Sequence, residues 1–240
     1  MSSFTGIRYL DQHTWVDYGL TISSRDIGHP NKNKIKQELP FSNKIYDFSE
    51  LYGSQVFEER QLTYTFDIMK PRVIDTNWKL NTIKTKVVNW LSRSSGKQPL
   101  FDDVYPNYYF LAEVENGADF EENWTYGTLS VTFTAYPFMI KENPEGNDIW
   151  DTFNFELDVA QFTTFDIQGS QSISLINNGS PDVVPKIIAS RSFTIIHDRK
   201  EFKVNAGTSE DLDFVLSPGA NRMTVRGNGR IEFLFHQELI

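Results

Sequence analysis

Residues 39–68, LPFSNKIYDFSELYGSQVFEERQLTYTFDI, indicate the fold class of this chain. The run 61–68 alternates between apolar and polar residues, and the apolar positions are Leu62, Tyr64, Phe66 and Ile68. This period of two is that of a half-buried β-strand. Before it, Phe48, Leu51 and Tyr52 precede Gly53, which predicts a loop held by aromatic side chains that turns at the glycine. The stretch therefore predicts antiparallel β-structure, with two strands joined by a loop.

One helix is predicted in the first half of the chain. Its apolar residues recur at three- and four-residue steps, at Leu80, Ile83, Val87 and Leu91, with Trp90 beside them. Asp75 or Thr76 suits the start of the helix, and Gly96 follows its end. We expect a helix near residues 77–92 that covers its own sheet, with binding to a partner as the alternative.

The second half is predicted to be wholly β. Residues 141–148, KENPEGND, concentrate turn formers and predict a linker. Short strands then follow at even spacing, separated by turns such as Asn177-Asn178-Gly179, and this pattern is typical of a β-sandwich. The predicted fold class is mainly β. An antiparallel β domain with one α-helix spans residues 1–143, a linker spans 144–151, and a β-sandwich spans 152–240.

Composition and motifs argue against most catalytic chemistry. The chain has no cysteine, which excludes disulfides and thiolate metal sites. Its histidines are dispersed and lack metal-ligand spacing; they are His13, His29, His197 and His236. The members of each acidic pair are adjacent in sequence, so in a strand their side chains point to opposite faces and do not act together on one substrate. We therefore expect solvated or turn-stabilising roles for these pairs, which are Glu58-Glu59, Asp102-Asp103 and Glu121-Glu122. We expect no enzyme activity, no metal and no cofactor.

The charge and hydropathy patterns limit the partners. The net charge is −9 and neither half is basic, which disfavours a nucleic-acid-binding domain. No apolar run approaches the length of a membrane span, and the N-terminus has no signal-peptide pattern. Trp124 and Tyr126 suit a sugar-stacking platform. The alternating strand 128–134 that follows them favours a place in the core or at an interface instead.

Several short motifs occur in an order that resembles one protein family. Around the opening stretch and the helix they are WVDYGL (15–20), VVNWL (87–91), PLFDD (99–103), YYFLA (108–112) and TFTAYPF (132–138). This order resembles the distal tail proteins of long, non-contractile-tailed bacteriophages, and it covers about the first 140 residues. In the second half, Asn177-Asn178-Gly179, Pro185 and the turn LSPGAN (216–221) resemble the family's galectin-like jelly roll. The chain lacks room for the carbohydrate-binding arm that longer members carry.

The resemblance implies a structural function. A distal tail protein is the hub of the tail tip: a homo-hexameric ring, in some cases stacked on another, built from N-terminal domains with C-terminal sandwiches outside. Its partners are the major tail tube protein, the tail-tip protein and receptor-binding proteins, and DNA passes through its channel without specific binding. The protein would be made in the bacterial cytoplasm and located in the virion. The alternative is an adhesion module that recognises host cell-wall glycan, with a glycan hydrolase ranked last.

Five aromatic residues and one leucine between the two predicted strands suggest where self-association occurs. They are too irregular for one buried strand, and exposed aromatic clusters commonly mark interfaces; the candidates are Phe41, Tyr46, Phe48, Leu51, Tyr52 and Phe57. The polar segment 22–36 predicts a protruding loop. Lys32 and Lys34 in that loop are candidates for contacts with the acidic surface of a neighbouring copy.

Overall fold

The computed structural model describes residues 5–51, 54–69, 76–115, 119–122 and 126–240. The chain divides into two compact units, Met1–Met139 with Ile240, and Ile140–Leu239. The domain limits at residues 143 and 152 stay a prediction.

The first unit is an antiparallel sheet with helices. Its strands are β1 (Ile7–Tyr9), β2 (Gln12–His13), β3 (Thr21–Ile27), β4 (Lys36–Glu38), β5 (Ile45–Asp47), β6 (Arg60–Met69), β7 (Gln98–Asp102), β8 (Tyr108–Glu113), β9 (Asp119–Glu122) and β10 (Tyr126–Lys141), whose last two residues belong to the second unit. Its helices are α1 (Thr14–Tyr18) and α2 (Thr76–Leu91). The main sheet has the order β2-β1-β7-β8-β10-β6-β3, and β4 pairs only with β5.

The predicted alternation of β6 is confirmed. Leu62, Tyr64, Phe66 and Ile68 are all buried. They lie on the same face as apolar residues of β10, with Leu62 opposite Phe133 and Phe66 opposite Leu129. The alternation predicted for 128–134 is therefore also confirmed, because the apolar residues of both strands enter one core.

The predicted helix is also confirmed, and it packs on its own unit. Helix α2 spans Thr76–Leu91 and buries Val87, Trp90 and Leu91 in the same core as the sheet. The indole Nε1 of Trp90 donates a hydrogen bond of 2.9 Å to the carbonyl of Tyr9. Gly96 follows with φ +76°, a left-handed conformation that favours glycine. Asp75 and the side chain of Leu80 lie outside the described residues.

The loop predicted for residues 22–36 is wrong in its first part. Residues as far as Ile27 belong to β3, an outer strand that pairs with β6 from Thr21↔Asp67 to Ile27↔Leu62. The register shifts between Ile22 and Ser24. The segment is polar because an outer strand can leave its side chains in solvent while its backbone groups pair with the sheet.

The second unit consists of β-strands. They are β11 (Thr164–Asn177), β12 (Lys186–Ala189), β13 (Phe193–His197), β14 (Lys200–Val204), β15 (Gly207–Ser209), β16 (Gly219–Leu234) and β17 (Glu238–Leu239). Beyond residue 149 the only helix is the 3-10 turn Trp150–Thr152, and all of that part of the chain is described. The mainly β fold class is therefore confirmed, whereas the galectin-like topology stays a prediction.

Strand β16 organises this unit. Strand β11 occupies one of its edges along nearly its whole length, while β13 and β12 pair with successive parts of the other edge. Gly227 and Gly229 lie between those parts with φ +145° and +135°. A Cβ at Gly227 would lie 2.5 Å from a ring carbon of Phe193, so only glycine lets β13 approach β16 so closely here.

Candidate functional site

The connection between β3 and β6 is a long two-stranded hairpin, residues 28–59, which we call the arm. Its base continues the pairing of the two strands, because Gly28 N–H donates to the carbonyl of Gln61 over 3.0 Å. Farther out, Asn33 N–H donates to the carbonyl of Val56 (2.9 Å). Strands β4 and β5 then form a separate ladder. The arm is therefore built on hydrogen bonds between its own two sides.

The arm exposes apolar side chains and adds none of its residues to the main core. Of the 18 large hydrophobic side chains exposed among the described residues, eight lie on it. They are Ile35, Leu39, Phe41, Ile45, Tyr46, Phe48, Leu51 and Val56. None of the arm's described residues belongs to the buried cluster of the first unit. Such a concentration of exposed apolar surface is typical of a protein–protein interface.

The predicted anchoring of the loop is not seen for Phe48 and Leu51, while Tyr52 and Gly53 lie outside the described residues. Phe48 is 42% exposed and Leu51 is 62% exposed, so neither is an anchor in the core. The ring of Phe48 stacks instead on that of Tyr46, with 6.2 Å between the ring centres. The prediction was wrong because aromatic residues beside a glycine are equally compatible with a loop over a core and with an arm away from it.

Polar contacts hold the middle of the arm. Lys34 Nζ lies 3.1 Å from a carboxylate oxygen of Asp47, on the opposite side of the hairpin. Asp47 also accepts hydrogen bonds from the hydroxyl and the backbone N–H of Ser49, which with Lys34 lower the pKa of the aspartate well below its usual range. The Asp47 charge is thus retained to low pH, and these contacts fix the hairpin locally.

The base of the arm is tied to the first unit. The half-buried ring of Phe57 meets the ring of Phe138 edge-on, with 5.3 Å between centres. Beside it, Lys97 Nζ lies 2.6 Å from Glu59 and 3.0 Å from Glu113. Lys97 donates hydrogen bonds to both carboxylates, and these bonds raise the pKa of Lys97. Aromatic packing and an ion-pair network thus hold the base, while the distal part is exposed.

The eight predicted contact residues have different places in this arrangement. Exposed on the distal arm are Phe41, Tyr46, Phe48 and Leu51. Phe57 is at the base, Lys32 is exposed near it, and Lys34 is in the ion pair with Asp47. Tyr52 lies outside the described residues. Their role in self-association stays a prediction.

Sequence reasoning missed four exposed apolar residues of the arm. They are the aliphatic Ile35, Leu39, Ile45 and Val56. The signal was present, because each has polar or charged residues among its immediate neighbours. The prediction followed the aromatic residues and Leu51 and did not use this signal.

Three members of the acidic pairs have structural contacts: Glu59 in the Lys97 network, Asp102 and Asp103. Asp102 is buried and accepts hydrogen bonds from Arg25 Nε (3.1 and 3.2 Å). It also accepts one from Val104 N–H, the turn-stabilising role that was predicted. Asp103 accepts a hydrogen bond from Gly6 N–H (2.7 Å) and lies 3.1 Å from His13. Of the two predicted roles, solvated or turn-stabilising, Asp102 has the second, and Arg25 compensates its burial from a strand distant in sequence. The side chains of Glu121 and Glu122 are outside the described residues.

The histidines whose contacts are recorded serve local structure. His13 accepts hydrogen bonds from the first turn of α1 and caps that helix. His236 Nδ1 lies 2.8 Å from the carbonyl of Lys141, and His197 packs edge-on against Phe214. Within the described residues, no cluster of three His, Asp or Glu side chains has metal-binding geometry. No helix in the described part of the chain is long and apolar enough to cross a membrane.

A second candidate site is a pocket of about 330 Å³ in the second unit. The segment 141–162 forms its lining: Lys141, Glu145, Gly146, Asn147, Asp148, Ile149, Trp150, Thr152, Phe153, Val159, Ala160, Gln161 and Phe162. Lys141 Nζ lies 2.7 Å from Asp158 and 4.0 Å from Glu145, and all three side chains are at most 6% exposed. Sequence reasoning interpreted part of this segment as a linker and did not anticipate the pocket.

Comparison with known proteins gives a structural match. No protein-family model matches the sequence, and no curated protein matches it. Among solved structures, the chain is similar to the SPP1 Dit (gp 19.1) protein, a paradigm of the hub adsorption apparatus in phages that infect Gram-positive bacteria. The TM-score is 0.65 at 11% sequence identity, over 99% of this chain and 100% of that one. The resemblance to a distal tail protein is thus confirmed for the fold.

Proposed function

We propose that this protein is the structural hub of a bacteriophage tail tip, where it forms a hexameric ring. The exposed arm of the first unit is the observation that carries the proposal. The fold likeness to SPP1 Dit, itself a hub protein, supports the same role. In this role the protein acts mechanically, without catalysis, metal or cofactor.

The arm suits a contact that repeats around a ring. It presents eight exposed apolar side chains, while its base is held by Phe57 and the Lys97 network. When an arm of one copy packs on a different surface of the next, the contact is heterologous, and such contacts close into a ring if the rotation permits. Exposed lysines such as Lys32 and Lys36 then face neighbours whose net charge is −9.

The charge of the chain agrees with a channel for DNA. A basic wall would retain the polymer through contacts with its phosphates. The chain, with a net charge of −9, has no overall positive charge to favour such contacts, and in the proposed role DNA passes without specific binding. The ring would connect the tail tube protein to the tail-tip protein and to receptor-binding proteins. It would be made in the host cytoplasm and assembled into the virion.

Light scattering after size-exclusion chromatography, together with electron microscopy of the full chain, tests this proposal. We expect six times the chain mass of 27.8 kDa and annular particles. Phe41→Asp places a charge on the exposed arm and is expected to give monomers. Leu212→Asp is the matched control, because Leu212 is also highly exposed (80%) but lies in the second unit. A wild-type monomer at every soluble concentration, or a Phe41→Asp variant that still forms rings, contradicts the proposal.

A further inference from the structure

Buried charges form the floor of the pocket in the second unit. Lys141 Nζ, with three N–H donors, has a close contact of 2.7 Å with Asp158. Its distance to Glu145 Oε1 is 4.0 Å, which is too long for a hydrogen bond. Ion pairs at the floor of an open pocket are expensive to desolvate unless further hydrogen bonds complete them.

Neighbouring side chains fix this floor in place. Gln161 Nε2 donates to Glu145 Oε2 over 3.0 Å, and the same amide group exchanges two hydrogen bonds with the backbone of Ile176. Asp158 Oδ2 accepts a hydrogen bond from Asn154 N–H, whereas Oδ1 of that carboxylate is buried without a partner. The floor thus presents a fixed cationic donor and a fixed carboxylate acceptor side by side.

The walls of the pocket are largely apolar and aromatic. Trp150 is 63% exposed and Phe162 is 85% exposed, although both line a concave site. Phe153 supports Trp150, with 5.1 Å between the ring centres. A pocket of about 330 Å³ with apolar walls and a few fixed polar groups is typical of small-molecule sites. Burial raises the pKa of Glu145, a further feature that such sites share.

We propose that this pocket binds a neutral saccharide unit, with its hydroxyls on Lys141 and Glu145 and a ring face on Trp150. A hydroxyl both donates and accepts, so two neighbouring hydroxyls match a donor beside an acceptor. The apolar C–H face of a sugar ring is complementary to an exposed aromatic ring. The volume accommodates one or two sugar rings.

The charges disfavour the other classes of small ligand. Glu145, Asp148 and the adjacent Asp158 outnumber the lysine, which opposes an anionic ligand. Lys141 at the floor opposes a cationic ligand. A hub role does not require this pocket, so the saccharide site extends beyond the proposed function and can fail or succeed independently of it.

Saturation-transfer NMR on the full chain, with methyl glycosides of glucose, galactose and N-acetylglucosamine as probes, tests the proposal. We expect transfer to at least one glycoside, and at least ten-fold weaker binding in Trp150→Ala and Glu145→Gln. Phe155→Ala is the matched control, because this ring is 86% exposed in the same segment and does not line the pocket. Trp150 is itself exposed, so its variant is expected to keep the wild-type melting temperature. The test therefore does not depend on the buried Glu145 variant being folded.

Two further measurements make the result decisive. Retention of wild-type protein on purified neutral cell-wall polysaccharide, lost in Trp150→Ala, would identify a polymer as the source of the sugar, while binding of the glycosides alone would identify the free sugar. No transfer to any probe, or equal loss in Phe155→Ala, overturns the proposal. Transfer to methylammonium in place of the glycosides would also overturn it, because the pocket would then take cations. A change of oligomer mass in Trp150→Ala, when the wild type binds no glycoside, would overturn it as well, because the pocket would then be a protein interface.

Discussion

Removing the distal part of the arm, residues 35–54, separates its role in assembly from any role in folding. Lys34 and Gln55 lie opposite each other in the register defined by the bridge Lys32↔Phe57. Replacing residues 35–54 with Asn-Gly therefore joins the two sides through a two-residue hairpin turn. The change deletes all of the arm's exposed apolar side chains except Val56 and keeps the packing of Phe57 at the base.

The structure gives the size of the expected effect. Seven exposed apolar side chains are removed. Burial of each from full exposure would contribute about 1.5–3 kcal/mol, and because all except Phe41 are already partly buried, the gross gain is about 6–13 kcal/mol. Association costs about 4–15 kcal/mol in lost freedom of motion, so this gain is comparable with the whole driving force. The shortened protein is therefore expected to be monomeric. Its folding is expected to persist, because none of the deleted residues that are described belongs to the buried core.

Light scattering and thermal unfolding of the same samples test both expectations. The mass should fall from the oligomer to a single chain. The melting temperature should stay within about 4 °C of that of monomeric Phe41→Asp, which corresponds to about 1 kcal/mol for a protein of this size. A persistent oligomer with an unchanged melt would show that the distal arm is not the contact. A non-cooperative melt would show that the arm belongs to the folded core, against the exposure on which the reasoning rests.

Three further predictions concern the second unit. Lys141→Met should lower the free energy of unfolding of this unit by about 3–5 kcal/mol in urea, because the carboxylates of Asp158 and Glu145 would be left buried without their cation. A decrease below about 1 kcal/mol would contradict this, since that is the contribution of an exposed ion pair. Burial raises the pKa of Glu145 above its ordinary value of 4.5, so its stabilising contribution is full below pH 4.5 and is lost as pH rises through the folded-state pKa. Urea unfolding at a series of pH values from below 4.5 upward should therefore show the wild type losing stability relative to Glu145→Gln. Equal pH dependence of the two unfolding free energies would refute this prediction. Gly227→Ala should lower the free energy of unfolding by about 1–3 kcal/mol, because the added Cβ would lie 2.5 Å from a ring carbon of Phe193 on the neighbouring strand. Gly207→Ala is the control for backbone strain alone, because an added Cβ there would have no atom within 4 Å. Equal destabilisation by the two variants would exclude the clash as the cause.

The parts of the fold that could be predicted are those with short-range periodicity. Strand β6 shows its buried face every second residue, and α2 shows its buried face at Val87, Trp90 and Leu91. In both elements the pattern arises because one face meets the core, so the sequence alone contains the information. The same reasoning could not assign Ile22 to a strand. An outer strand needs only backbone partners, and these leave no period in the side chains.

The arm could be located but not described. Its aromatic residues were visible in the sequence, yet whether Phe48 faces a core or solvent depends on the path of the chain and not on local pattern. That path is set by pairings such as Asn33 with Val56, which are distant in sequence. Composition shows that apolar side chains are present, and only the tertiary structure shows that the chain itself does not bury them.

The pocket shows the opposite limitation, because part of its segment was interpreted as a linker. Proline, glycine and acidic residues around Glu145 predict a turn, and a turn is normally exposed. Burial here depends on a cation in β10, Lys141, which meets Asp158 across 17 residues of sequence. Charge neutralisation at that distance has no local signature. Burying three charged side chains is costly, and aliphatic residues of similar volume often serve stability as well or better. Stability alone therefore does not explain why Lys141, Glu145 and Asp158 occur together here, and a bound polar ligand, as proposed for this pocket, supplies a reason that the saturation-transfer experiment with methyl glycosides tests.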